Sequence, residues 1–334
     1  MLETLSTFLN VGTFEPFEYI EYSIAGVKYK AVKSKHQLQN FFHIIDQHGK
    51  IEQILSDRNN SFSSIQASVN DLRKFGCVFS KARADYKTQQ IKSTTTKQLD
   101  LDKYDLDAED DFTSLKQLLV DIQNQDHASY AEKNQQLGSN PMPWDEYYSM
   151  SKVFRFKHAF DTFFEKIKYE KVQDEGQEKK IFFKKNGKNL SIDDLSTGEK
   201  QIVFRGCFLL KNNKNLDGAA IIIDEPELSM HPKWQKKILK YFKDLFTEDG
   251  RQKVQLFIGT HSEYILENAL LDKSKNLVIV LNEVSGVIEA KKIDAPSVLP
   301  SITSAETNYL AFDVVSNDYH IELYGYLQSK NGIT

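Results

Sequence analysis

The stretch AAIIIDEPELSMHP, residues 219–232, carries the pattern that decides the fold. It opens with an unbroken apolar run, which is typical of a strand buried on both faces of a parallel sheet. Two carboxylates, Asp224 and Glu225, follow the run directly. Open α/β sheets bind ligands beyond the carboxyl ends of their strands, so we expect both acids at such an edge.

Two adjacent acids in a partly desolvated cleft repel each other and require a cation. This favours hard-metal chemistry, in which one acid holds Mg²⁺ or its water shell and the other orients or deprotonates a water. The alternative is an ordinary strand that ends in solvated acids before a proline turn.

The neighbouring segments predict the rest of the fold. VQLFIG (254–259) and NLVIVLN (276–282) read as further buried strands, and HPKWQKKILKYFKDLF (231–246) as an amphipathic helix. Apolar strands that alternate with helices predict an α/β fold with a largely parallel sheet flanked by helices.

The first part of the chain predicts additional elements. FEYIEYSI (17–24) and VKYKAVK (27–33) alternate around Ala25-Gly26, which predicts a β-hairpin. Residues 35–55 are predicted to be helical, with Leu38, Phe41, Phe42 and Ile45 on one side. A short buried strand is expected at Cys77-Val78-Phe79.

Changes in composition suggest four regions. We expect residues 1–86 and 144–300 to form two parts of one head, with a polar and acidic helical insertion at 87–143 that includes a short amphipathic helix, FTSLKQLLVDIQ. Residues 301–334 are expected to form a helical tail, with a short helix around 319–328.

The overall composition narrows the possible partners. A net charge of -4 gives no global field for nucleic acid, so DNA binding would need a local patch such as the lysines of KKIFFKKNGKNLSI (179–192). Such lysines are more often solvated charges on an edge strand, where they discourage sheet pairing. The sequence has no basic-then-apolar leader and no bilayer-length apolar run, so we expect a cytoplasmic protein without membrane contact. The two cysteines, Cys77 and Cys207, are expected to be reduced core thiols.

Two further motifs accompany the acids. In LSTGEKQ (195–201), Ser196 and Glu199 match a capping box, which predicts a helix start with free N–H groups and a glycine that admits a phosphate. LFIGTHS (256–262) predicts a buried strand that leads to His261. Taken separately, the first could be a plain helix cap and the second a structural histidine.

Together, LSTGEKQ, IIIDEPELSMHP and LFIGTHS resemble the signature, Walker B and switch-histidine motifs of ABC-type ATPases. Within that superfamily the sequence resembles the stand-alone bacterial P-loop ATPases. These include the overcoming-lysogenisation-defect type and the ATPases of anti-phage defence operons, which are relatives of the recombination-repair and chromosome-maintenance heads.

The resemblance implies a role for each matching residue. Asp224 would bind Mg²⁺ through water, Glu225 would polarise the attacking water, and His261 would sense the γ-phosphate of ATP. The signature residues would contact the nucleotide of an opposing protomer; they are Ser196, Thr197, Gly198 and Glu199. Thr197 departs from the commoner Leu-Ser-Gly-Gly form. The glutamine of the Q-loop is not distinguished among Gln47, Gln53 and Gln66.

The sequence contains no G-x-x-x-x-G-K-[ST] motif. In the resembled family this phosphate loop precedes a helix like MLETLSTFLN (1–10), so the sequence is expected to start just after a Walker A loop; the alternative is an ordinary N-terminal helix. We therefore expect weak ATP binding and negligible hydrolysis by these residues alone. The resemblance implies a homodimer or mixed dimer that sandwiches ATP and controls an effector such as a separate nuclease, or DNA. Anti-phage defence is the implied pathway, with DNA repair and a catalytically dead binding module as alternatives.

Overall fold

The computed structural model describes residues 1–10, 17–33, 41–55, 72, 75–83, 85–101, 112–272, 274–293 and 295–332. The chain divides into two compact units, which are described separately. The first unit comprises residues 1–224 and 243–259, and the second comprises residues 225–242 and 260–334. In the described part of the chain, no helix has the length and apolar character needed to cross a membrane.

The elements of the first unit follow in chain order: α1 (Leu2–Leu9), β1 (Tyr19–Ile24), β2 (Val27–Lys33), β3 (Phe41–Asp46), β4 (Ile51–Leu55), β5 (Cys77–Ser80), α2 (Phe112–Leu137), α3 (Trp144–Met150), α4 (Phe154–Phe163), β6 (Ile167–Glu175), β7 (Glu178–Lys185), β8 (Lys188–Ser191), α5 (Thr197–Leu210), β9 (Ala220–Asp224), β10 (Thr247–Glu248), β11 (Arg251–Gln252) and β12 (Gln255–Gly259). Helix α6 (Pro232–Leu245) begins in the second unit, which also contains α7 (Glu263–Leu271), β13 (Val278–Val284), β14 (Val287–Ile293), α8 (Ser304–Phe312) and α9 (Asn317–Lys330).

The centre of the first unit is a parallel sheet in the order β12-β9-β5. Strand β9 lies in the middle, and Ile221, Ile222 and Ile223 are fully buried. A strand covered on both faces needs consecutive apolar side chains, which is why this run forms the central strand.

Helix α1 packs on this sheet and on a second, antiparallel sheet in the order β1-β2-β3-β4. Its Leu2, Leu5 and Leu9 contact a core that includes Cys77 and Ile222. Phe8 is buried in a separate cluster with residues of β2 and β3. The helical spacing of these apolar residues therefore gives α1 two buried contacts.

Helix α5 is almost entirely buried and packs against α2, α4 and β5. The antiparallel sheet β6-β7-β8 adjoins α4 and α2. The predicted fold class, α/β with a parallel sheet flanked by helices and an N-terminal β-hairpin, is confirmed. The hairpin turn is at Ala25-Gly26 as expected, with positive φ at both residues.

The second unit is built around the antiparallel hairpin β13–β14, helix α7 and the end of α8. A smaller core joins α8 to α9 through Leu299, Ala305 and Tyr319. The tail helix predicted around 319–328 is present and longer, at Asn317–Lys330.

The predicted helix over residues 35–55 is wrong for its described part, which forms strands β3 and β4. Leu38 and the side chain of Phe41 lie outside the described residues. Phe42 and Ile44, two residues apart, are buried against Phe8, while β3 pairs with β2. The Asp46 carboxylate accepts hydrogen bonds from the N–H groups of His48 and Lys50 and closes the turn to β4. The doubled Phe and Ile residues fit the apolar spacing of a helix and the alternation of a strand equally well. Pairing with β2 decided in favour of the strand.

Two other elements differ from expectation. NLVIVLN is a strand, but it belongs to an antiparallel hairpin, and Ile279 and Leu281 are exposed on its outer face. The short helix predicted from FTSLKQLLVDIQ extends over Phe112–Leu137. Tertiary contacts buried its first half, including Leu119 and Ile122. The two cysteines are unpaired and buried, as predicted.

Candidate functional site

Asp224 lies at the carboxyl end of the central strand β9, where the sequence predicted a binding edge. It pairs in register with Gly259, the last residue of β12. A Cβ atom at Gly259 would lie 2.7 Å from Leu2 Cδ1 and 3.0 Å from Asp224 Oδ1. The absence of a side chain at Gly259 therefore lets the Asp224 carboxylate and the first turn of α1 lie side by side at this edge.

Arg205 was not identified from the sequence, although it is a charged residue inside the apolar run IVFRGCFLL of α5. It is 4% exposed, and its guanidinium donates to the backbone oxygens of Asp224 (3.0 Å) and Lys81 (3.1 Å). Lys81 follows β5 directly. Arg205 thus fixes the spacing between the ends of two neighbouring parallel strands.

The start of α5 has the predicted capping box. The Ser196 hydroxyl accepts from the N–H of Glu199, and the Glu199 carboxylate accepts from the N–H of Ser196 at 2.8 Å. Ser196 and Thr197 are exposed, whereas Gly198 and Glu199 are buried. The helix start is accordingly open to an approaching anion on its Ser196-Thr197 side.

Two ion pairs hold this helix start in place. Burial would raise the pKa of Glu199, but the Lys185 ammonium, 2.7 Å away, and the Ser196 N–H lower it below its ordinary value. Asp193 lies three residues before Ser196, and Lys116 of α2, only 2% exposed, contacts its carboxylate at 2.7 Å. Burial raises the pKa of Asp193, and Lys116 with Thr88 outweighs that effect and lowers it.

Glu225 and His261 belong to the second unit and lie close together there, with 3.7 Å between Glu225 Oε1 and His261 Nε2. The two side chains remain 37% and 81% exposed, so both can contact solvent or a ligand. Glu225 has a φ of 41°, a left-handed backbone conformation that non-glycine residues rarely adopt and that is concentrated at functional sites.

Glu227 is a second residue that sequence reasoning missed. Its Oε1 accepts a hydrogen bond of 2.6 Å from the backbone N–H of His261. The only feature of the sequence that points to Glu227 is its place as the second glutamate of the DEPE stretch.

The described residues contain no cluster of three or more His, Cys, Asp or Glu side chains arranged to hold a metal ion. A magnesium ion carried in by a nucleotide does not need such a cluster, because it keeps several waters and takes one or two carboxylates plus phosphate oxygens. The half-buried Asp224 carboxylate, in the space that Gly259 leaves open, is suited to that single contact.

The glutamine candidates remain undistinguished. Gln47 and Gln53 lie in or beside the antiparallel β3–β4 hairpin, and Gln66 lies outside the described residues.

Two of the clustered lysines of residues 179–192 form ion pairs. Lys179 pairs with Asp174, and Lys180 pairs with Glu175 and Glu178. Both lysines lie on β7, between β6 and β8, so the expectation of an edge strand is wrong for them, while their ion pairs favour solvated structural charges over a nucleic-acid contact.

Comparisons with known proteins give one family match. A family model described as an AAA ATPase domain matches residues 27–266. A curated relative, the Retron Vc95 probable ATPase of Vibrio cholerae serotype O1 biovar El Tor, is 32% identical over 108 residues. This alignment covers 30% of the chain and 19% of the relative, so the chain matches about a fifth of that protein's length.

Solved structures with weak similarity include chromosome-maintenance heads. An SmcHead bound to the C-winged helix domain of ScpA shares 13% identity at a TM-score of 0.41, covering 85% of this chain and 77% of that chain. An Smc head domain with an extended coiled coil, bound to the C-terminal domain of ScpA and derived from Pyrococcus furiosus, shares 12% identity at a TM-score of 0.40, covering 86% and 85%. Because these structural similarities are low, the assignment of the chain to a family rests on the match to the AAA ATPase domain model.

Proposed function

The chain belongs to the AAA ATPase domain family, and on this premise we propose that it is an ABC-type ATPase subunit whose two copies close on Mg-ATP. The observation that carries the proposal is the position of Asp224. Its carboxylate stands at the carboxyl end of the central parallel strand, in space left open by Gly259. Ligands of open α/β sheets bind at this edge.

In this proposal Asp224 holds Mg²⁺ through a water. The ion supplies positive charge that offsets the phosphates of ATP. Glu225, next in the chain, accepts a hydrogen bond from the attacking water and orients it. The 3.7 Å approach of His261 to Glu225 supports a histidine that contacts the γ-phosphate beside that water.

The start of α5 serves the nucleotide of the opposing copy. The exposed Ser196 and Thr197 leave the first N–H groups of α5 accessible, and the positive end of the helix dipole favours the γ-phosphate. Glu199 stays buried and closes the capping box, so its role is to shape this helix start.

The closing and opening of the dimer would control a separate effector such as a nuclease, or DNA. The motif resemblance implies anti-phage defence as the pathway, with DNA repair as the competing pathway, and the match to a retron probable ATPase supports the ATPase activity. DNA-stimulated turnover in the absence of any effector would favour repair.

Because these 334 residues contain no G-x-x-x-x-G-K-[ST] motif, we expect them alone to bind Mg-ATP weakly and to hydrolyse it negligibly. They could still cap a nucleotide held by an intact partner in a mixed dimer. Micromolar affinity with clear turnover by these residues would contradict this expectation.

The experiment that tests the proposal must detect weak binding. We would titrate the isotope-labelled chain with millimolar Mg-ATP and follow backbone amide signals by NMR. We expect shifts at Asp224, Glu225, Thr197 and Gly198 that EDTA removes. Asp224→Asn should abolish them, and Asp249→Asn, the same change in an exposed turn, should not. No shift at either region in the wild type would overturn the proposal.

A further inference from the structure

The carboxylate of Glu227 bonds to the main chain beside the proposed γ-phosphate sensor. One oxygen, Oε1, accepts from the N–H of His261 at 2.6 Å. The other, Oε2, is buried and has no hydrogen-bond partner among the described residues. A bond from a backbone N–H to an ionised carboxylate is charge-assisted and shorter and stronger than a neutral one.

Glu227 is itself held in two consecutive turns. The backbone N–H of Leu228 donates to the backbone oxygen of Glu225 at 3.2 Å, and the backbone N–H of Met230 donates to the backbone oxygen of Glu227 at 2.9 Å. Ser229 adopts a φ of 61° at the third position of the second turn, where such a conformation closes the chain tightly. Glu225 and Glu227 are therefore parts of one short, internally bonded segment.

A second side chain joins the same two segments. Gln235 of α6 donates from Nε2 to the Met230 oxygen at 3.0 Å and accepts from the Ser262 hydroxyl at 2.7 Å. Ser262 is 6% exposed, and its N–H donates to the Thr260 hydroxyl at 3.0 Å. Residues 260–262 are thus joined to the turn at two points, directly through Glu227 at His261 and through the Gln235 side chain at Ser262.

We propose that Glu227 is a positioning residue that sets the distance between Glu225 and His261. It bonds to the backbone of His261 and not to the imidazole, and the exposed side chains of Glu225 and His261 remain open to water and phosphate. This inference rests on the proposed function, in which Glu225 orients the attacking water and His261 contacts the γ-phosphate. The alternative is that Glu227 only stabilises the turn, with no effect on how closely the two side chains approach.

The test is a double-mutant cycle read by NMR without nucleotide. The change Glu225→Gln removes a charge near the His261 ring, so the shift that it causes in the ring protons reports their proximity. We expect a clear shift in the wild type, a reduced one in Glu227→Gln, and almost none in Glu227→Ala. Glu289→Gln, the same charge change at an exposed position of β14, should leave the shift unchanged.

The His261 amide provides a second readout. Its hydrogen exchange should become about tenfold faster or more in Glu227→Ala, as expected for loss of a charge-assisted bond. Glu227→Gln keeps an acceptor of the same length, so it should fold with a thermal midpoint close to that of Glu289→Gln.

An equal effect of Glu225→Gln on the His261 ring in the wild type, Glu227→Gln and Glu227→Ala would overturn the inference. Because the cycle contains no nucleotide, its failure is distinct from failure of the proposed function. The proposed function has a separate test, in which Mg-ATP must shift the Asp224-Glu225 or the Thr197-Gly198 amides.

Discussion

At the scale of single residues, Gly259 shows how one missing side chain determines the binding edge. A methyl group at Gly259 would lie closer to the Leu2 and Asp224 side chains than van der Waals contact allows. We expect Gly259→Ala to lower the free energy of unfolding by about 1 kcal/mol, the low end for overpacking, because both contacting side-chain ends can rotate.

Gly325, within α9, provides the matched control. A Cβ atom at Gly325 meets nothing within 4 Å. Gly325→Ala should therefore stabilise the protein by about 0.5–1 kcal/mol, because alanine loses less backbone entropy in a helix. Urea denaturation measures both changes, and equal effects of the two substitutions would contradict the crowding at Gly259.

Arg205 is the second residue whose role is visible only in three dimensions. Arg205→Leu leaves the Asp224 and Lys81 oxygens without this charged donor, so we expect unfolding to become easier by about 2–4 kcal/mol. Arg251→Leu, at an exposed residue paired with Asp217, should change stability by less than about 0.5 kcal/mol. A similar small loss for both variants, measured by urea denaturation, would show that Arg205 does not hold the strand ends.

At the scale of elements, the start of α5 depends on the charge of Glu199. The pKa of Glu199 is lowered in the folded chain, so its ionised form stabilises the fold above the ordinary value of 4.5. That contribution is lost as pH falls through the lower pKa of the folded state, since protonation removes the Lys185 pair.

We therefore expect Glu199→Gln to destabilise the chain by about 1–2 kcal/mol at neutral pH. The difference from the wild type should shrink as pH falls through the lowered pKa of folded Glu199, because the wild type then loses the same charge. Urea denaturation across this range measures it, with Glu170→Gln, at an exposed residue of β6, as the control. A difference that stays constant with pH would contradict the assigned role.

At the scale of the whole molecule, the proposal makes nucleotide the cause of dimerisation. In a form of the chain that also carries a G-x-x-x-x-G-K-[ST] loop, Glu225→Gln should retain ATP without cleaving it, so light scattering should show a doubled mass in Mg-ATP that reverts when EDTA is added. Adding Ser196→Arg should abolish this dimer by placing a bulky side chain at the exposed start of α5.

Ser329→Arg, an equal change at an exposed site of α9, should leave the nucleotide-dependent dimer intact. A dimer that forms equally without nucleotide, or that survives Ser196→Arg, would contradict closure through the start of α5.

The local elements could be predicted from the sequence because their causes are local. A run of isoleucines makes a strand that must be covered on both faces, and Asn186-Gly187 and Ala25-Gly26 supply the positive φ angles that hairpin turns need. The capping box of Ser196 and Glu199 closes within one helical turn. The position of Asp224 at the end of a central strand follows from the same kind of pattern.

Only the tertiary structure decided what depends on partners distant in the chain. Residues 41–55 became strands because β2 offered a pairing edge, and β13 became antiparallel because β14 folded back on it. Arg205 and Glu227 act through hydrogen bonds to main-chain atoms of other segments. Main-chain atoms are common to all residue types, so these bonds leave no pattern in the sequence. Short-range periodicity is written in the sequence, whereas the choice among long-range pairings is made by the free energy of the assembled fold.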